Sequence, residues 1–227
     1  MNSIQVVIAA MPTILMGSFV TLSIVFRALA LGLVFGLFFA ILQVYGRPWQ
    51  KALVGLYVWI FRGLPILVLL FLGYGAFVAL GLPAEPFTIS SVVLGFTSTA
   101  YQSQIFRGAI QSLGGGQLMA ARALGMRDFQ AIRYIIIPQA LRLSIPGWSN
   151  EYSILLKDSA ICFVLGTQDI MARTAFVAAR THEHLALYAA AGFVYFILTL
   201  IVVKLLSKLE NKLQIPGFTQ ANGDNAL

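Results

Sequence analysis

The stretch 12–44 carries one charged side chain, Arg27, and that single feature decides the solvent this chain folds in. A helix needs about 20 apolar residues to cross the hydrocarbon core of a bilayer. Similar runs cover 50–80, 87–106 and 185–206. Only 10% of the 227 residues are charged and 59% are hydrophobic, whereas a soluble domain carries about a quarter charged residues. The net charge of +7 therefore reads as a topology signal between apolar runs, with no nucleic acid implied. The single cysteine, Cys162, lies in an apolar run and excludes a disulfide framework. The first apolar stretch is too long for a cleaved signal peptide and has no basic region before it.

A fifth span is predicted at 145–168, although it contains Glu151, Lys157 and Asp158. Charge placement supports counting it. Arg47 and Lys51 follow the first span. Arg107, Arg122, Arg127, Arg133 and Arg142 follow the third, and Lys204, Lys208 and Lys212 close the last. Basic residues collect on the cytoplasmic side, so the pattern predicts five spans, an external N-terminus and a cytoplasmic C-terminus. Residues 169–184 are then external. The prediction is an all-α polytopic membrane protein: one domain over 1–213 and a polar cytoplasmic tail over 214–227, disordered from Thr219 to Leu227.

Between the third and fourth spans, 114–142 is too polar to span and too patterned for a linker. Gln117–Leu124 reads as a short helix closed by Gly125 in the left-handed conformation. Asp128 caps or charges a second helix, which Pro138 interrupts. Two short cytoplasmic helices suit a groove in a soluble partner.

Several ordered motifs at matching spacing resemble one family. The run Gln117-Leu-Met-Ala-Ala-Arg-Ala-Leu-Gly125, continuing to Ile137-Pro-Gln-Ala-Leu-Arg142, resembles the signature loop of binding-protein-dependent ABC importer permeases. Phe61-Arg-Gly-Leu-Pro65, Ala100-Tyr-Gln-Ser-Gln-Ile-Phe-Arg-Gly-Ala-Ile-Gln-Ser112 and Leu155-Leu-Lys-Asp-Ser159 resemble segments of its polar amino acid branch. The resemblance implies a MetI-like type I importer fold and a bacterial inner-membrane location. It implies a loop that couples to a cytoplasmic ATP-binding cassette subunit through Met119, Ala120, Ala121, Arg122, Ala123 and Gly125. It also implies a second permease subunit, paralogous or identical, an extracytoplasmic solute-binding protein, and a polar amino acid or opine-like solute. ATP and magnesium would belong to the ATPase partner, with no cofactor in this chain. Met119 stands where the family carries Glu, Gly114-Gly115 where it carries Pro-Lys, and Arg127 where Ser caps the second helix.

Acidic residues inside a span cost about 2.5–3.5 kcal/mol each on insertion scales. Glu151 and Asp158 are seven residues apart, which puts them about 20° from eclipsed and roughly 10 Å apart along one helical face. Such a stripe could hold the two ends of an amine-bearing solute, and a basic amino acid has suitable length. The alternative is pairing of Asp158 with a basic residue on a neighbouring helix, and Glu151 at the interface. Acidic residues at matching positions in relatives line the solute site, so the resemblance favours the first reading. On the third span, Thr97, Tyr101 and Gln104 share a face, with Ser98 and Gln102 alongside. The family often carries Asn and Glu at positions 97 and 104, so this subunit presents less negative charge. The alternative for this face is helix–helix hydrogen bonding alone.

Arg62 and Arg107 fall on motif positions and read as structural. Arg27 has no motif counterpart. His182 and His184 flank Glu183 in the external segment and read as solvent-facing, with no metal site. The chain has no Walker motif and so does not hydrolyse ATP by itself. No nucleophile–base constellation marks a membrane enzyme. A secondary transporter would carry inverted repeats, and none is visible. A scaffold subunit that touches no solute stays open.

Overall fold

The computed structural model describes residues 2–213, and among these every regular element is helical. The long elements are α1 (Ser3–Tyr45), α2 (Pro48–Gly63), α3 (Ile66–Ala79) and α4 (Pro86–Ser112). Three short ones follow: α5 (Gly116–Ala123), α6 (Asp128–Ala131) and, after a π-helical turn over Ile132–Ile136, α7 (Ile137–Leu143). Then come α8 (Ile145–Asp158), continued as 3-10 helix through Leu165, α9 (Ile170–Thr181) and α10 (His184–Leu213). The tail expected over 214–227 lies outside the described residues.

Among the described residues only α1 and α10 are individually long and apolar enough to cross a membrane; counting two bent pairs as one span each raises this to four. The polar α4 falls short on composition. The stretch 50–80, expected as one helix, is two: α2 and α3 meet at 112°. The cause is Pro65. It has no N–H to continue a helix, and its ring pushes Leu64 into extended backbone (φ −96°, ψ 141°). The fourth expected span likewise tightens to 3-10 helix after Asp158, and Gly166 ends it at φ +94°. A 54° bend then leads into α9.

The pair α1 and α4 forms the spine, and the two helices run in the same direction. Along α1, Arg27 lies by Phe87, Leu31 by Gly95 and Gly36 by Ser103. Small residues make this approach possible: Ala28, Gly32, Gly36 and Ala40 recur every four residues and are all buried. Two parallel neighbours require a return pass between them, which only 46–85 can supply. Against α4, α8 runs antiparallel, with Gly147 by Ile105, Glu151 by Ser98 and Thr167 by Ser90.

Three apolar clusters stack along this spine. Ile24, Leu29, Leu70, Leu94, Tyr152 and Leu156 fill the middle. The N-terminal turns of α1 pack on α9 and α10 through Ile14, Ile170, Ala178 and Leu187. At the other end Ala40, Phe106, Ile110, Ile136 and Ala140 seat the short helices. Many large apolar side chains, Phe19, Trp59, Leu80 and Phe193 among them, point outward. A soluble monomer does not tolerate that much exposed apolar surface, so it belongs to lipid or to other subunits.

Candidate functional site

The polar centre is a buried hydrogen-bond chain that ties α1, α4 and α8 together. The Trp148 indole N–H donates to Gln102 Oε1. Gln102 Nε2 donates to the Leu29 carbonyl (3.1 Å) and to Ser98 Oγ (3.0 Å). Ser98 in turn donates to Glu151 Oε1 at 2.7 Å. Glu151 is only 3% exposed, and Ser98 and Gln102 are fully buried. Gly32 leaves the room: a Cβ there would lie 2.2 Å from Gln102 Nε2. A buried carboxylate is tolerated when it is hydrogen-bonded, and this chain of donors supplies the bond.

The residues read as lining a solute path do not converge on one spot. Ser98 and Glu151 touch. Asp158 lies two turns further along α8, half-buried, with no hydrogen bond or ion pair among the described residues. The cross-helix basic partner weighed for it is absent there. Thr97 is buried, and its hydroxyl donates to the Val93 carbonyl of its own helix (3.1 Å). Tyr101 and Gln104 face elsewhere, into an open groove of about 460 Å³ between α2 and the C-terminal half of α4. There the Arg62 guanidinium sits 4.8 Å over the Tyr101 ring. Gln104 donates to Gln43 (2.9 Å) and accepts from Arg107 (3.5 Å). Arg62 and Arg107, read as structural, thus line the same groove as two of the expected residues. Neither Gln43 nor Trp148 stood out in the sequence, and the central role of Gln102 was missed. The four-residue spacing of Gly32 and Gly36 was the available signal for close packing at that level.

The loop beyond α4 is a second site. Gly125 adopts φ +80°, as its position predicts. Its N–H donates to the Arg122 carbonyl (2.9 Å), and that of Met126 to the Ala121 carbonyl (3.1 Å), a Schellman closure. The turn brings Arg122 against Asp128 in a bidentate pair, 2.7 and 2.8 Å. Asp128 still charges the first turn of α6, but its carboxylate is held by Arg122 and caps nothing. Arg122 keeps the Asp128 carboxyl below its ordinary range through that hydrogen bond. The Arg127 N–H at the cap position is taken by the Gln130 side chain (2.9 Å). Pro138 does not break the second helix; the π-helical turn before it absorbs the missing N–H, and the path continues into α7. Of the six residues expected to meet a partner, Met119, Ala120, Arg122, Ala123 and Gly125 are exposed. Ala121 is 1% exposed and packs inward. Leu124 (82% exposed), Phe129 and Tyr134 are, with Met119, the exposed large apolar side chains described in this loop.

At the other end, Asp169 caps α9 through Ala172 N (2.7 Å), and the Ile170 N–H donates to Thr21 of α1 (3.3 Å). The segment expected to be external is therefore docked on α1. His182 closes α9 in the left-handed conformation, φ 60°.

Comparison with known proteins places these features. Residues 32–215 match the family described as "Binding-protein-dependent transport system inner membrane component". The chain is 34% identical over 226 residues to the "Probable amino-acid permease protein YxeN" of Bacillus subtilis (strain 168), covering 95% of this chain and 99% of that one. It is 31% identical over 208 residues to the glutamine transport system permease protein GlnP of Escherichia coli (strain K12), covering 91% and 95%. Among solved structures, an amino acid ABC transporter crystallised with histidines superposes with a TM-score of 0.81 at 34% identity, covering 90% of this chain and 96% of that one.

Proposed function

The chain belongs to the family of binding-protein-dependent transport system inner membrane components, and from that premise we propose how it crosses the membrane and what it carries. It is a permease subunit of an ABC importer, a transport protein and not an enzyme; ATP hydrolysis resides in a separate subunit. The proposed topology has five passes: α1, the broken α2–α3 pair, α4, the α8 segment through Leu165, and α10. The parallel course of α1 and α4 supports it, because a return pass must lie between them. Basic residues after α1, around α5–α7 and at the end of α10 favour an external N-terminus and a cytoplasmic C-terminus. ATP and magnesium then bind the ATPase partner alone.

The proposed solute is a polar, amine-bearing amino acid. Such a zwitterion carries both charges; Glu151 and Asp158 on α8 supply the negative ones, and Arg62 on α2 and Arg107 on α4, which line the separate groove, the positive ones. Alternating access moves it past α4 and α8, between this subunit and a second permease subunit, loaded by a solute-binding protein on the α9 side. Because Ser98 and Glu151 are locked into helix packing, a second reading keeps this subunit as a scaffold that touches no solute.

The observation that carries the coupling assignment is the set of exposed apolar side chains, Met119, Leu124, Phe129 and Tyr134, around an ion-paired turn. Leu124→Cys is expected to crosslink to the ATPase subunit through a thiol reagent, while Ala121→Cys, facing inward, is not. The native Cys162 is buried and does not compete. Absence of a Leu124→Cys crosslink in every nucleotide state sinks the assignment.

A further inference from the structure

Asp169 is a buried acid that neither the solute path nor the coupling loop uses. It is 0% exposed, where α9 meets α1. Its Oδ1 accepts from the Ala172 N–H (2.7 Å) and caps α9, while Oδ2 is buried with no hydrogen-bond partner among the described residues. Ser18 of α1, and Tyr195 of α10, which lies within electrostatic reach of Asp169, also bury hydroxyl groups without a partner there. The two helices meet closely. A Cβ on Gly17 would lie 2.7 Å from the Asp169 carbonyl oxygen, and the Ile170 N–H donates to Thr21 (3.3 Å). The carboxyl also lies well inside the bundle. Ile14 packs with Ala178 and Leu187 nearer the start of α1, and Thr21 stands about 10 Å further along that helix at 1.5 Å per residue.

Among the described residues no cation balances this carboxyl. The elements packed around it present uncharged groups: Ser18 and Thr21 from α1, Ser90 from α4 by way of Thr167, Tyr195 from α10, and the buried Cys162 thiol of the 3-10 segment. Asp158 stands beyond Cys162 and carries the same sign. On α9 itself Arg173, one turn on, sends its Nε–H to the Gln168 carbonyl (3.3 Å) and makes no ion pair. An ionised carboxylate held out of water without a cation is far costlier than the neutral acid. We propose that Asp169 carries a proton on Oδ2 while α9 is docked on α1, and that this proton latches the docked arrangement. Moving α9 away from α1 hydrates the carboxyl; the O–H bond then breaks, the proton passes to water and a carboxylate remains. The docked state thus holds one proton more than the undocked state over the interval that starts at the ordinary carboxylate value of about pH 4. Docking is strongest in acid and weakens as pH rises across that interval.

The test uses the permease purified with its ATPase partner in lipid nanodiscs. At about pH 6, above the ordinary carboxylate range, the infrared spectrum is expected to hold the carbonyl stretch of a protonated carboxylic acid that Asp169→Asn removes and Asp158→Asn leaves. Asparagine keeps the helix cap and offers an N–H in place of the acid O–H. Hydrogen exchange across 170–178, corrected for the pH dependence of the chemical step, should quicken in the wild type by up to about tenfold between about pH 5 and about pH 6, the effect of one proton per pH unit. In Asp169→Asn it should stay at the slow, low-pH level. The wild-type exchange profile needs no variant, so the test stands should Asp169→Asn fail to assemble. Corrected exchange that does not change with pH overturns the proposal. So does an acid band that Asp169→Asn leaves in place, or α9 protection that follows sodium concentration instead of pH, the mark of an ionised carboxylate holding a metal cation.

Discussion

Replacing Gly32 with alanine adds one methyl group to a position that has no room for it. That carbon would lie 2.2 Å from Gln102 Nε2, 2.8 Å from its Cδ and 2.9 Å from Ser98 Oγ. Gln102 is a flexible side chain, but it is fully buried and bonded to Leu29, Ser98 and Trp148 at once, so it cannot move without breaking bonds. One buried amide left unsatisfied costs about 1–3 kcal/mol. Overpacking adds about 1–3 kcal/mol, and the helix propensity of alanine over glycine returns up to about 1 kcal/mol. The net is a destabilisation of about 1–5 kcal/mol, which lowers the melting temperature by roughly 2–20 °C for a chain of this size. The control is Gly108→Ala, inside α4, where nothing lies within 4 Å of the new carbon; its expected change is zero to slightly stabilising. Thermal unfolding of the purified complex in detergent measures both. A Gly32→Ala melting point within about 1 °C of wild type refutes the reasoning that the Gln102 network holds α1 to α4.

Ser98→Ala removes the donor to buried Glu151 and should cost about 1–3 kcal/mol, whereas Thr97→Val, which loses only a bond to its own helix, should cost under about 1 kcal/mol; the same melting assay separates them. Gly125→Ala forces a side chain into φ +80° and should destabilise the α5–α6 turn by about 1–2 kcal/mol, read as faster amide hydrogen exchange across 116–143. The Arg122–Asp128 pair should make that turn pH-sensitive. Because the folded carboxyl lies below its unfolded value, its stabilisation is full above the ordinary carboxylate range near pH 4 and is lost as pH falls through the folded value. Exchange in the turn should rise below about pH 4 and, the pair being exposed, less so at high salt. Asp128→Asn should abolish the dependence.

The parts written locally in the chain were legible. Gly125 took the left-handed turn because a glycine after a short apolar helix has few other uses, and the apolar runs located the long helices. The break at Pro65 was also written there, in Gly63-Leu64-Pro65, but the unbroken hydropathy of 50–80 masked it. What depended on tertiary packing was not legible. Arg122 and Asp128 are six apart, no helical spacing, and meet only because the Gly125 turn folds them together. Gln102 is one of several polar residues on α4 until Gly32, seventy residues earlier in the chain, opens a space for it. Helical periodicity put Thr97 beside Tyr101 and Gln104, yet its hydroxyl closes on Val93, a choice that periodicity does not constrain.

The central proposal is that alternating access brings the α8 carboxylates, one of them buried against Ser98 in this structure, to the transported solute. Its most direct test is uptake from an isotope-labelled mixture of the amino acids into vesicles holding the permease, its ATPase and its solute-binding protein. Glu151→Gln and Asp158→Asn together should leave a complex of unchanged size whose uptake falls at least about tenfold, one lost charge-assisted contact being worth that much. Uptake equal to wild type, with the binding protein stimulating ATP hydrolysis as before, would contradict it and leave the carboxylates as packing groups.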